Sequence, residues 1–126
     1  MKSENKILEL SFDFAISVID LYKKLVERKE FILSKQLLRS GTSIGANVEE
    51  AIAAQSRKDF VKMSIASKEA RETRYWLRLL SKSKIVDLDY QPYLESVEQV
   101  INILTKIVKT TAQSSAETIQ NSTFKI

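Results

Sequence analysis

The stretch Ile7–Val26, ILELSFDFAISVIDLYKKLV, decides the fold class. Leu8, Phe12, Ala15, Ile19, Tyr22 and Val26 recur four and three residues apart, which draws one apolar seam along a helix. Ile7, Phe14, Val18, Leu21 and Leu25 draw a second seam beside it. The pattern predicts a helix from Ser3 or Glu4 to about Arg28. A helix in a bundle needs an apolar stripe of about 100° or a little more. The doubled seam therefore predicts either a wider core or surface left over for other subunits. Self-association is the favoured reading, because large apolar patches usually mark interfaces.

Working outward, three more helices are expected. The second spans roughly Phe31 to Ala54, with Leu33, Leu37, Ile44, Val48 and Ile52 sharing an arc with Gly41 and Gly45. Each glycine costs a helix about 1 kcal/mol against alanine, so their expected role is to let a neighbouring helix come close. A phosphate-loop reading of RSGTSIG (39–45) fails because it lacks the Walker spacing and lysine, and no strand precedes it. Ser56 is the expected cap of the third helix, with Asp59 in its first turn. That helix continues to about Ser83, with Ile65, Ala66, Ala70, Thr73, Trp76, Leu77 and Leu80 on one side. The fourth starts near Asp87 or Asp89, with Pro92 tolerated in its first turn. Leu94, Val97, Ile101, Leu104 and Val108 form one seam there, and Tyr93, Val100 and Ile107 another. After Lys109 the chain turns to Ser, Thr, Gln and Asn, so residues 113–126 are expected to form a flexible polar tail. Short loops between long helices favour antiparallel neighbours. The expected fold is all-α, an up-down-up-down four-helix bundle over residues 1–112.

Composition narrows the chemistry. The chain has 126 residues, two glycines, one proline, no cysteine and no histidine. Disulfides, thiol catalysis and thiolate metal sites go with the missing cysteine. The commonest general base and zinc ligand go with the missing histidine. A nucleolytic toxin of the Arg-x4-His type is excluded for the same reason. MKSENKILEL has charges where a signal peptide needs an apolar core. No stretch approaches the roughly 20 apolar residues of a membrane span, so a cytoplasmic protein with no membrane partner is expected. No enzyme activity, cofactor or metal is expected.

The charge is uneven. The net charge is +4, yet from Arg57 to Lys84 nine bases stand against three acids. Residues 1–56 balance, and 85–109 carry two bases and four acids. On a helical wheel Lys68, Arg71, Tyr75, Arg78 and Lys82 fall within about 80° of one another. A basic stripe with an aromatic inside it suits a phosphate backbone, with Tyr75 able to stack on a base. The other reading of the stripe is a solvated face that keeps the helix soluble.

Glu69 falls near the middle of the third helix's apolar arc, where an unpaired carboxylate is costly. Arg39, Ser43, Asn47 and Glu50 follow one side of the second helix. With Glu69, Glu72 and Thr73 they are expected to form a buried polar layer that fixes register. The competing use of Glu49, Glu50, Glu69 and Glu72 is an all-carboxylate Mg²⁺ site, which is disfavoured because Mg²⁺ prefers water and substrate phosphates.

With these residues in view, the chain resembles the four-helix-bundle family of 23S ribosomal RNA intervening-sequence proteins, over residues of about 8 to 108. QLLRSGTSIGANVEEA (36–51) and DFVKMSIASKEARETRYWLRLL (59–80) carry the resemblance. Arg39, Ser43, Ile44, Asn47 and Glu50 match the pattern Arg-x3-Ser-Ile-x2-Asn-x2-Glu, and Phe60, Ala66, Glu69, Glu72 and Trp76-Leu77 match the second block. Ala51 stands where many relatives have glycine. The resemblance implies a ring-like homo-oligomer, a homopentamer in known forms, often encoded within insertions in large-subunit ribosomal RNA genes. A similar fold serves as the accessory variability determinant of diversity-generating retroelements, which binds a reverse transcriptase and nucleic acid. The expected function is a non-enzymatic scaffold that binds nucleic acid, RNA before DNA, through Lys68, Arg71, Tyr75, Arg78 and Lys82. The alternative is a structural adaptor whose oligomer surface docks a protein partner.

Overall fold

The computed structural model describes the backbone of residues 2–54 and 58–124, and the side-chain surroundings of residues 5–54 and 61–112. Four helices follow in order: α1 Lys2–Glu27, α2 Leu33–Ala53, α3 Lys58–Ser83 and α4 Gln91–Phe124. Each packs on two neighbours, α1 on α2, α2 on α3, α3 on α4 and α4 back on α1. Cross-helix pairs give the directions. Arg39 meets Glu72, Ser40 meets Thr73 and Glu50 meets Lys62, so numbers fall on α3 as they rise on α2. The result is the expected antiparallel up-down-up-down bundle.

Of the two α1 seams, the one through Ile7, Phe14, Val18, Leu21 and Leu25 forms the core. The other stays at the rim, where Leu8, Ala15, Ile19, Tyr22 and Val26 are half-buried and Phe12 is 62% exposed. Ile16 is exposed beside it. On α4 the doubled pattern turns inward instead. Val97, Val100, Ile101 and Leu104 are buried, and Tyr93, Leu94, Ile107 and Val108 pack against the core. The second seam thus faces outward on α1 and inward on α4. Leu37, Ile44 and Val48 of α2 and Ala66, Ala70, Leu77 and Leu80 of α3 complete the core.

The two glycines of α2 are where α1 comes close. A Cβ at Gly41 would lie 2.8 Å from both methyl carbons of Val18, and one at Gly45 would lie 3.4 Å from the Ser11 carbonyl oxygen.

Helix ends depart from the sequence expectation. α1 stops in a Schellman turn, in which Lys29 N–H donates to Val26 (2.9 Å) and Glu30 N–H to Leu25 (2.9 Å). Lys29 takes the left-handed position, φ 64°, usually given to glycine. Lys84 does the same after α3, φ 55°. The first turn of α2 is capped from outside by Glu30. Its carboxylate accepts from the N–H groups of Ile32 (3.2 Å), Leu33 (2.9 Å) and Ser34 (2.6 Å). Burial pushes the Glu30 carboxyl up, but the Leu33, Ser34 and Ile32 donors outweigh it and hold it below the ordinary carboxylate value. α4 begins two residues after Asp89, whose Oδ1 accepts from Gln91 N–H at 3.1 Å, and Pro92 falls in the first turn. Buried Tyr90 donates its hydroxyl to the Val86 carbonyl at 2.8 Å, tying down the α3–α4 connection.

The backbone of α4 stays helical through Phe124, past the change of composition after Lys109. The tail expected over 113–126 falls on side chains outside the described residues, and the Ser56 cap also lies outside them.

Candidate nucleic-acid interface

The five residues of the basic stripe share one outward face of α3. Lys68, Arg71, Arg78 and Lys82 are exposed, as is Tyr75 at 54%. From Lys68 to Lys82 the row runs about 21 Å at 1.5 Å rise per residue. The pattern arises because α3 buries Ala66, Ala70, Thr73, Leu77 and Leu80 against α2 and α4, which leaves the opposite side to water.

Nearby acids are taken up by other bases. Arg74 pairs with Glu98 of α4 at 2.7 Å, and Arg39 of α2 pairs with Glu72 and, at 3.4 Å, with Glu69. Arg71 donates to the neutral Thr105 hydroxyl at 3.1 Å, which anchors its guanidinium without neutralising it. Among the described residues no ion pair involves Lys68, Arg71, Arg78 or Lys82. Among the described residues neither Arg71 nor Arg78 pairs with Glu95 or Glu98; Arg74 takes Glu98, and the Gln91 amide donates to Glu95 at 3.3 Å.

Tyr75 does not stand alone. Its ring meets Trp76 edge to face, with centroids 5.2 Å apart and planes at 71°. Trp76 Nε1 donates to Glu72 Oε2 at 3.1 Å, the carboxylate oxygen that Arg39 also holds.

The polar layer needs correcting. Arg39 does reach Glu69 and Glu72, but the cluster sits at the α2–α3 rim, with the Arg39 side chain 51% and that of Glu69 21% exposed. The helical wheel places Glu69 by angle alone and takes no account of how far a side chain extends toward the rim. Ser43 and Asn47 turn along their own helix, to the carbonyls of Ser40 (3.0 Å) and Ser43 (2.8 Å). Glu50 pairs with Lys62 at 2.7 Å. The buried polar contact joins Thr73, a member of the expected layer, to Ser40, which sequence reasoning missed. Ser40 Oγ and Thr73 Oγ1 lie 2.9 Å apart with no exposure, and Thr73 also donates to the Glu69 carbonyl at 2.7 Å. Ser40 stands three residues after Leu37 and four before Ile44, so its place on the apolar arc was legible. An ion pair this open contributes at most about 1 kcal/mol. Glu69→Gln is therefore expected to move the denaturation midpoint only slightly, and a loss of several kcal/mol would restore the buried reading.

The four glutamates proposed as a metal site do not converge, and no group of three ligating side chains meets among the described residues. The surface depressions are shallow, one beside Phe12 lined by Leu8, Glu9, Asp13 and Glu49, another at the loop end lined by Phe31, Ile32 and Ile85. No described helix is long and apolar enough to cross a membrane.

The family model described as "23S rRNA-intervening sequence protein" matches residues 3–106. The chain belongs to that family. The match spans nearly all of α1, all of α2 and α3, and α4 as far as residue 106, so the rim cluster and the basic face both lie within it. Among solved structures, a protein of unknown function from the S23 ribosomal protein family of Bacteroides thetaiotaomicron VPI-5482 is 44% identical. It superposes with a TM-score of 0.80, over 85% of this chain and 98% of its own. No curated protein matches the chain.

Proposed function

We propose that the protein is a non-enzymatic, cytoplasmic, homo-oligomeric helical scaffold that binds nucleic acid, RNA in the first place, through the basic face of α3. One observation carries the reading. Four cations and an aromatic ring stand exposed in a row, while the acids around them are occupied by Arg39 and Arg74. Such a row attracts phosphates without selecting bases. The family name supports RNA as the partner. Exposed Phe12 and Ile16 on α1 support self-association, and the family resemblance supplies five as the number of subunits. Several ribs joined in one assembly gain affinity through effective concentration, where a single rib binds weakly.

The second reading, an adaptor for a protein partner, is favoured by exposed Phe31, Ile32 and Ile85 at the loop end of the bundle.

Two measurements test the proposal together. Light scattering should report several times the 14.4 kDa chain mass, and Phe12→Asp with Ile16→Asp should lower it while the helical circular dichroism remains. Affinity for a single-stranded RNA oligomer should fall on Arg71→Ala with Arg78→Ala at unchanged mass. A monomeric wild type would remove the scaffold. Binding indifferent to the double substitution would favour the adaptor.

A further inference from the structure

The aromatic group within the row has a geometry that electrostatics does not require. Tyr75 lies one turn after Arg71 and one turn before Arg78, at the centre of the cations, with more than half of its surface open. An exposed side chain is normally free to change rotamer, but this ring is braced. Trp76 meets it edge to face, Glu72 holds the Trp76 indole N–H, and Arg39 of α2 holds Glu72. The chain of contacts runs from the α2–α3 rim to the open ring.

We infer that this face takes an unpaired strand, with Tyr75 as the platform on which one base stacks and Trp76 as the residue that positions the ring. The inference rests on the nucleic-acid reading above and adds the strand class to it. In a duplex each base is covered on both sides by its neighbours, so an aromatic ring meets only edges and backbone. An unpaired base offers an open π-face, and stacking on an aromatic side chain is tolerant of base identity. Cations alone would prefer the other partner, because a duplex carries the denser charge and releases more counterions per phosphate. A preference for single strands therefore reports the ring and not the row of charges.

The test compares a short adenosine-rich RNA oligomer, alone and annealed to its complement, by fluorescence anisotropy over the same series of salt concentrations. The wild type should bind the single strand about ten-fold more tightly than the duplex. Tyr75→Phe should keep that ratio, and Tyr75→Ala, which leaves the cations alone, should abolish it and turn the preference toward the duplex while binding stays salt-dependent. Trp76→Phe, which removes the N–H that Glu72 holds, should weaken the single-strand arm alone. A wild type that binds the duplex as well as the single strand, or a Tyr75→Ala variant that keeps the ratio, would overturn the inference while salt-sensitive binding survives. A lowered oligomer mass in Tyr75→Ala would also overturn it, by assigning the ring to a subunit contact. Absence of salt-sensitive binding to either partner is a different failure, that of the nucleic-acid reading itself.

Discussion

Replacing Gly41 by leucine is expected to cost the bundle roughly 3 kcal/mol, a large share of the 5–15 kcal/mol that holds a domain of this size. The Cβ alone would sit 2.8 Å from both Val18 methyl carbons, and the remaining carbons would add to the collision. Val18 is fully buried and cannot swing aside, since a β-branched side chain in a helix has one strongly preferred rotamer. Relief therefore requires α1 and α2 to separate. Gly41→Ala should cost less, because the gain in helix propensity, about 1 kcal/mol, offsets part of the clash. Gly45 behaves in the opposite sense. There a Cβ meets the Ser11 carbonyl oxygen at 3.4 Å, an ordinary contact, so Gly45→Ala should raise stability by up to about 1 kcal/mol. Urea denaturation of the two alanine variants decides the matter, and Val18→Ala should rescue Gly41→Ala specifically. Equal shifts at both glycines would contradict the close approach of α1 to Gly41.

Glu30→Ala is the second large effect, a loss of about 1–3 kcal/mol. It removes one carboxylate that serves three backbone donors at the start of α2, and leaves those N–H groups in a partly buried turn. The charge gives the effect a pH signature. The folded-state pKa of Glu30 is lowered, so its contribution is fully present above the ordinary carboxylate range and is lost as pH falls through the folded value. Glu30→Gln keeps an acceptor but no titration, so its stability should fall less steeply in acid than that of the wild type. Parallel acid profiles would show that the cap does not hold the carboxylate.

Both effects bear on what could be read from the chain before its structure. Helix positions were legible because apolar residues at three- and four-residue spacing dominate every segment, and glycine and proline hardly interrupt them. The close approach at Gly41 was legible from a costly glycine on an apolar arc. Glu30 was not, because it caps α2 from before the helix, where Ser, Thr, Asp or Asn is the usual signal. The left-handed turns at Lys29 and Lys84 carry lysine where glycine is customary, so nothing in their identity announced them.

At the candidate interface, the exposed row of α3 was readable because a solvated face follows directly from the position of the apolar arc. The wheel put Glu69 toward the buried side, and its side chain is 21% exposed against Arg39. It did not show that Arg39 and Glu72 lie open at the rim, since a wheel gives direction and not reach. The link from that cluster through Trp76 to Tyr75 needs coordinates, because neighbours in sequence point about 100° apart on a helix.

The central claim is that the α3 row binds phosphates, and the salt dependence of RNA affinity tests it most directly. Binding of a single-stranded oligomer should weaken linearly in log–log with salt, at about 0.7 per phosphate neutralised. Removing Arg71 and Arg78 should lower that slope while the oligomer keeps its mass. A wild-type affinity that does not change with salt, or an unchanged slope in the double variant, would contradict the account.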